Sequence, residues 1–260
     1  MQAERVNSRR VVEELRELAG LTGGPDGARR VAWTDKWVKA RDWLKGKLEE
    51  IGGVEVERDE AGNLWATAPG DSERAVLLGG HIDSVPQGGW LDGALNTVAA
   101  LEVMRALAPQ QRPVTLRLVD WADEEGARFG RSLTGSAASA GSLDPHKELA
   151  HLVDRAGVKL PDALKENGIT LDGMKTARKY FDELRAEAYL ELHIEQGPVL
   201  QEMKRPVGVV LGTMGVERHH LKFIGQAAHS GAAPLHLRQD AFLAGARFAL
   251  AAVGTTERVG

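Results

Sequence analysis

Three apolar segments of this sequence end in acidic residues or histidines, and this feature limits the possible folds most strongly. The segments are AVLLGGHID (75–83), LRLVDWADEE (116–125) and AYLELHIEQG (188–197). Short apolar runs of this kind are typical of buried strands. Helix-periodic segments separate them, and strands that alternate with helices predict an α/β fold. We therefore expect a mixed, largely parallel sheet that is sandwiched by helices.

Helices are predicted around Val6 to Ala19, from Thr34 as the N-cap to Ile51, and from Ala94 to Leu107. Residues 142–185 are polar and rich in turns, and we expect them to cross the sheet as a lid or rim.

The residue pattern of the sequence changes after the third apolar segment. Residues 205–231 contain two β-rich runs separated by turns, and an amphipathic helix follows from about Gln239. A domain boundary is therefore predicted near Val210, which gives a larger unit at 1–210 and a smaller α+β unit at 211–260.

Composition and charge exclude several classes of protein. The 260 residues are 43% hydrophobic, which is enough for a sizeable core, and the formal net charge is −4. No basic stripe indicates nucleic acid or an anionic membrane surface, and no apolar run approaches the ~18 residues of a membrane span. Cysteine is absent, so thiolate nucleophiles and cysteine metal sites are excluded, and a reducing cytoplasm is expected. A small-molecule substrate is the preferred interpretation.

Polar side chains at the ends of the three strands form a candidate site. In parallel sheets, ligands bind outside the carboxyl ends of the strands, so distant segments can meet there. The candidates are His81, Asp83, Asp92, Asp123, Glu124, Glu125, His193, Glu195 and Gln196. Two histidines among several carboxylates suit zinc, manganese, cobalt or nickel, and the number of acids indicates more than one ion.

Each candidate also has an ordinary structural interpretation. A single histidine at a strand end is often only a hydrogen-bonded rim residue, and Asp92 within GGWLDG could be a turn residue. Adjacent Glu124 and Glu125 could lie in a solvated loop, although two carboxylates at the end of an apolar strand repel each other without a cation.

Four blocks of the sequence resemble one enzyme family in order and spacing. They are GGHIDSVPQGGWLDGALNTVAALE (79–102), WADEEGARFGRSLTGSAASAG (121–141), LELHIEQGPVL (190–200) and GQAAHSGAAPLHLRQDA (225–241). These blocks resemble the N-carbamoyl-L-amino-acid hydrolase, allantoate amidohydrolase and β-ureidopropionase branch of the aminoacylase-like metallopeptidases. The resemblance implies a zinc-exopeptidase-like catalytic domain, followed by the start of a dimerisation domain and hence a homodimer.

The resemblance also implies a role for individual residues. It places His81 and His193 on one divalent ion, Glu125 on a second ion, and Asp92 between the two. Asp83 would orient His81, and Glu124 would be the catalytic acid and base. Gln196 and His229 would contact the substrate, although Gln196 could instead cap the end of a strand and His229 could be a turn histidine. Arg238 could contact a carboxylate, but we expect it to be a structural, ion-pairing residue.

The implied activity is metal-dependent hydrolysis of a linear, non-peptide C–N bond in an N-carbamoyl-L-amino acid or related ureido compound, by a hydroxide shared between two ions. A dipeptidase or an N-acyl-amino-acid deacylase with the same ions remains an alternative, as does a non-catalytic scaffold that binds metal or ligand. The family's last metal-ligand histidine and its carboxylate-binding arginine lie in C-terminal segments that have no counterpart here. We therefore expect this chain to hold one ion more firmly than the other and to be poorly active by itself.

Overall fold

The computed structural model describes residues 5–213, 215 and 219–259, with side chains through residue 255. The chain divides into two compact units, Met1–Pro198 and Val199–Gly260. This division lies earlier in the chain than the boundary predicted near Val210.

The first unit contains strands and helices in alternation. Its strands are β1 (Gly23–Gly24), β2 (Gly27–Ala28), β3 (Glu55–Arg58), β4 (Leu64–Ala68), β5 (Ala75–Gly80), β6 (Thr115–Asp120) and β7 (Ala186–Leu190). Its helices are α1 (Ser8–Thr22), α2 (Asp35–Glu49), α3 (Ala94–Leu107), α4 (Thr134–Ala140), α5 (Pro145–Glu148), α6 (Leu160–Glu166), α7 (Leu171–Met174) and α8 (Ala177–Glu183).

Five of these strands form one mixed sheet in the order β3-β4-β6-β5-β7. The β3–β4 and β4–β6 pairs are antiparallel, whereas β5 is parallel to both β6 and β7. The mixed sheet predicted from the sequence is therefore confirmed. Because β5, β6 and β7 run in one direction, their carboxyl ends meet at one edge of the sheet.

Apolar side chains cover both faces of the sheet. In β4, Leu64 and Ala66 belong to the main core with Leu44 and Val98 from α2 and α3, whereas Trp65 points into a smaller core on the other side. The smaller core also contains Leu184, which follows α8. This alternation is the period of two expected of a strand that is buried on both faces.

The predicted helices of the first unit are present. Thr34 is the N-cap of α2, since its side chain accepts a hydrogen bond from the backbone N–H of Trp37, and α3 has the predicted bounds. Residues 142–185 form the short helices α5 to α8. This segment covers the sheet, because Tyr180 and Phe181 pack against the ring of Trp65.

The prediction that β7 is a buried strand is wrong. All five of its residues are exposed, including Tyr189 and Leu190. The strand lies at the end of the sheet and pairs with β5, and within the described part of the first unit no further strand extends the sheet beyond it. An apolar sequence predicts a strand, but it does not report what covers the faces of that strand.

The second unit is helical and irregular where it is described. It contains α9 (Val199–Glu202), a 3₁₀-helix (Leu235–Leu237) and α10 (Ala241–Val259). The α+β character predicted for this unit is therefore not observed: none of the described residues of 205–231 is in a strand, while residues 214 and 216–218 lie outside the described part. An apolar, β-branched run forms a strand only where a second strand pairs with its backbone.

The helix predicted from about Gln239 is present as α10, where Asp240 accepts a hydrogen bond from the backbone N–H of Leu243. Across both units, no helix in the described ranges combines the length and the apolar character needed to cross a membrane.

A buried ion pair ties the end of β6 to α2. The Nε atom of Arg41 lies 2.9 Å from Oδ2 of Asp120, and the Asp120 side chain is fully buried. The other carboxylate oxygen, Oδ1, accepts a 2.7 Å hydrogen bond from the backbone N–H of Ile82. Burial raises the pKa of Asp120 to about 6, although Arg41 acts in the opposite direction. Asp120 thus connects the end of β6 to α2 through Arg41 and to the chain beyond β5 through Ile82.

Replacing Arg41 with methionine should lower the free energy of unfolding by about 3–5 kcal/mol, because Asp120 would remain buried without its counter-charge. Urea denaturation measures the change. Arg74→Met is the matched control, since Arg74 pairs with Glu187 at the surface, and its denaturation midpoint should stay close to that of the parent. Equal losses in the two variants would contradict the role given to the buried pair.

Gly93 precedes α3 with φ of +64° and packs closely against His81. A Cβ atom at Gly93 would lie 2.2 Å from the carbonyl oxygen of His81 and 2.5 Å from two atoms of its ring. Gly93→Ala should therefore displace His81, in addition to the cost of a left-handed backbone, which is of order 1–3 kcal/mol.

Gly53→Ala separates the two effects on the free energy of unfolding. Gly53 has φ of +77°, but a Cβ atom added there would have no neighbour within 4 Å, so only the backbone cost applies. In urea denaturation we expect Gly93→Ala to be clearly more destabilising than Gly53→Ala, and equal losses would show that the contact with His81 is unimportant.

Candidate metal centre

The ends of the three parallel strands deliver the predicted polar residues to one edge of the sheet. His81 directly follows β5, Glu124 and Glu125 follow β6, and His193 follows β7. The environments differ: His81 is only 3% exposed, whereas His193 is exposed.

Three of the predicted ligands come together in the first unit. His81, Asp92 and His193 each offer one ligand atom, and these three atoms all lie within 4.8 Å of one another. The Nε2 atom of His193 lies 3.8 Å from Oδ1 of Asp92. That oxygen is buried, and no hydrogen-bond donor of the described residues reaches it. Two imidazoles around an unsatisfied carboxylate oxygen fit a divalent cation such as zinc.

Asp83 organises the backbone around this group. Its two carboxylate oxygens accept hydrogen bonds of 3.2 Å from the backbone N–H groups of Glu124 and Glu125, respectively. Oδ1 of Asp83 also lies 3.4 Å from Nδ1 of His81, and the same nitrogen donates to the Asp83 carbonyl oxygen at 3.1 Å. A buried carboxylate thus joins the end of β5 to the turn after β6.

Glu124 lies beside this group, and its carboxylate is a candidate for proton transfer. Its Oε2 atom lies 3.5 Å from Nε2 of His81, and its side chain is 32% exposed. Burial raises the pKa of Glu124, while the charge of His81 acts in the opposite direction. A partly accessible carboxylate with a raised pKa can both accept and return a proton.

Glu125, predicted as a ligand of a second ion, is outside the three-residue group. Burial raises its pKa as well, and the neighbouring carboxylate of Glu124 adds to this effect. Asp123, which precedes the two glutamates, is buried in a left-handed conformation with φ of +55°. Burial and the charge of Asp83 raise the pKa of Asp123 to about 7.

Opposing effects act on the pKa of His81. Burial lowers its pKa, but nearby carboxylates, chiefly that of Asp83, outweigh this and raise the pKa to about 9. These carboxylates thus surround His81 with negative charge. A divalent cation would supply compensating charge.

Gln196 contacts Asp92 within the described residues. Its Nε2 atom donates a 2.6 Å hydrogen bond to Oδ2 of Asp92, and its φ is +55°. Its predicted contact with the substrate stays a prediction.

His229 and Arg238 lie in the second unit and stabilise a turn there. Nδ1 of His229 accepts hydrogen bonds of 3.1 Å from the backbone N–H groups of Gly231 and Ala232. Arg238 donates to the carbonyl oxygens of Ala233 and Ser230, whereas the structural role expected of it was ion pairing.

Two buried residues that position the site were not predicted from the sequence. Arg30 is fully buried, and its Nε atom donates to the Ile82 carbonyl oxygen at 2.7 Å. The side-chain oxygen of Asn63 accepts a 2.9 Å hydrogen bond from the backbone N–H of Ala122. Along the sequence, neither residue is close to the strand ends that carry the candidate ligands. Only the tertiary contacts therefore reveal the role of each.

Comparison with known proteins identifies the family. The model of peptidase family M28 matches residues 63–193, about half of the chain, and this range contains His81, Asp92 and His193. The N-carbamoyl-L-amino acid amidohydrolase of Geobacillus stearothermophilus is 36% identical over 93% of this chain and 59% of its own length. An allantoate deiminase of Arabidopsis thaliana is 32% identical over 88% of this chain and 44% of its own length.

Solved structures agree with these relatives. A hydantoinase/carbamoylase family amidase from Burkholderia ambifaria is 32% identical, with a TM-score of 0.75, over 94% of this chain and 60% of that one. The chain thus spans about three fifths of the length of the Geobacillus and Burkholderia proteins. The resemblance to amidohydrolases stated from the four sequence blocks is confirmed, and the chain belongs to peptidase family M28.

Proposed function

We propose that the protein is a metal-dependent amidohydrolase that cleaves a linear, non-peptide C–N bond in N-carbamoyl-L-amino acids or related ureido compounds. The observation that carries the proposal is the approach of His81, Asp92 and His193 to within 4.8 Å, with the carboxylate of Glu124 beside His81. The names of the relatives from Geobacillus stearothermophilus and Arabidopsis thaliana support the substrate class.

The proposed cofactor is a pair of divalent ions, zinc, manganese, cobalt or nickel. His81, Asp92 and His193 would hold one ion, and Asp92 with Glu125 would contribute to the other. When bound, such ions lower the pKa of a water molecule and polarise a carbonyl group. Ureido carbonyls are poor electrophiles and their nitrogens are poor leaving groups, so both effects are needed.

The residues of this chain would perform the proton transfers. Glu124 takes a proton from the attacking water and returns it to the departing nitrogen, since its carboxylate is partly exposed and lies beside His81. Asp83 keeps Glu124 in place through the backbone and orients His81. An N-carbamoyl amino acid, R–NH–CO–NH2, plus water would give the amino acid, carbon dioxide and ammonia.

Substrate contacts by Gln196 and His229, a homodimer formed through the second unit, and a cytoplasmic location complete the proposal. The catalytic residues would all belong to the unit at 1–210, as the sequence predicts.

We expect ammonia release from N-carbamoyl-L-amino acids or allantoate when the full-length protein is supplied with manganese, zinc or cobalt, and only a low rate from residues 1–260 alone. An N-acetyl amino acid and a dipeptide serve as comparison substrates. Release of free amino acid from these, without ammonia from the ureido compounds, would favour a deacylase or a dipeptidase. Metal binding without turnover of any substrate by the full-length protein would favour a non-catalytic scaffold.

Glu124→Gln should lower kcat by about 10²- to 10⁴-fold, the usual contribution of a general acid and base, and should leave the metal content unchanged. Asp92→Asn is the comparison variant, because loss of a ligand should lower metal content together with activity. Elemental analysis of both purified variants, with kcat for each, makes the test. A Glu124→Gln enzyme within a few fold of the parent would contradict the proposed proton transfer.

A further inference from the structure

The carboxylate of Asp92 has two oxygens in different environments. Oδ1 is buried, is 3.8 Å from Nε2 of His193, and receives no hydrogen bond from the described residues. Oδ2 accepts the 2.6 Å hydrogen bond from the side-chain amide of Gln196. One oxygen therefore faces the histidines, and the other is held by an amide.

The two oxygens keep these different environments only if the carboxylate of Asp92 is prevented from rotating. The terminal torsion of an aspartate is broad, so the plane of an unrestrained carboxylate can rotate until neither oxygen points toward the histidines. A hydrogen bond to Oδ2 removes this freedom and presents Oδ1 in the same place. Outer groups that orient a ligand in this way commonly change metal affinity by about 10–100-fold.

The backbone of Gln196 places its side chain beside Asp92. That backbone has φ of +55°, a conformation that is uncommon for residues other than glycine. It lies three positions after His193, in the same segment beyond β7. That segment supplies an imidazole to one oxygen of Asp92 and an amide donor to the other, so one stretch of backbone sets both contacts.

We infer that Gln196 is a positioning residue of the metal centre: its amide fixes the carboxylate of Asp92, so that Oδ1 is available to the ion held with His81 and His193. The inference rests on the metal centre of the proposed function. It differs from a substrate-contact role, which would change KM and leave metal affinity intact.

Because Gln196 is exposed, an effect of its replacement on metal binding can be separated from an effect on folding. The residue lies at the surface, so its replacement should not change the melting temperature. Methionine has a similar size and offers no N–H donor, which makes Gln196→Met the informative variant. Gln111→Met is the matched control, because Gln111 donates a similar amide–carboxylate hydrogen bond, of 3.3 Å, to Asp71 at the exposed surface.

The experiment is titration of the metal-free parent and both variants with Co²⁺, followed by the visible absorption of the bound ion. We expect Gln196→Met to bind Co²⁺ about 10–100-fold more weakly, with an altered absorption spectrum and an unchanged melting temperature. Gln111→Met should match the parent in all three measurements.

Two results would overturn the inference. If the parent binds Co²⁺ and Gln196→Met binds it equally well, Gln196 does not position Asp92, and a raised KM in that variant would assign it to the substrate alone. If the parent binds no Co²⁺, both the metal centre and this role are wrong. A parent that binds Co²⁺ but releases no ammonia from ureido compounds would contradict only the proposed activity, so the failures can be told apart.

Discussion

The hydrogen bonds from the backbone to the carboxylate of Asp83 hold the candidate site together. An ionised carboxylate can only accept, and here each oxygen accepts one N–H from the turn after β6, at Glu124 and at Glu125. The same group lies beside the ring of His81. Strands β5 and β6 are paired along their length, and these hydrogen bonds extend the connection to the turn that carries Glu124 and Glu125. The positions of His81, a proposed metal ligand, and of Glu124, the proposed acid and base, are therefore coupled.

Concentrating acids at the edge of a sheet has a cost that other residues offset. Asp83 and Asp120 are almost fully buried, and burial of an unpaired charge is strongly unfavourable. Arg41 pairs with Asp120, and Arg30 contributes a second buried positive charge that acts on Asp83 and Asp120. Both guanidinium groups also donate to backbone carbonyls of the loops around the site. The residues that balance the charge are thus the ones that fix the loops.

The parts of the site that follow from strand direction could be predicted from the sequence. Apolar runs indicated strands, and the rule that ligands bind at the carboxyl ends of parallel strands brought His81, Glu124 and His193 to one edge. Contacts between loops could not be predicted in this way, because no periodicity reports that Arg30 reaches the carbonyl oxygen of Ile82 or that Gln196 reaches Asp92. The exposure of β7 was missed for a similar reason. Apolar residues indicate that a strand forms, whereas burial depends on elements far away in the sequence.

The two sides of the candidate centre differ in burial. His81 sits between buried groups, and Gly93 lies so close to its ring that a methyl group would collide with it. His193 is carried by the segment after an exposed edge strand, and its side chain is 37% exposed. Asp92 stands between them, with its side chain 18% exposed and one oxygen held by Gln196. Under the proposed function, a substrate would approach from the side of His193 and Gln196, because packing closes the side of His81. The buried side fixes the geometry, and the exposed side determines what reaches it.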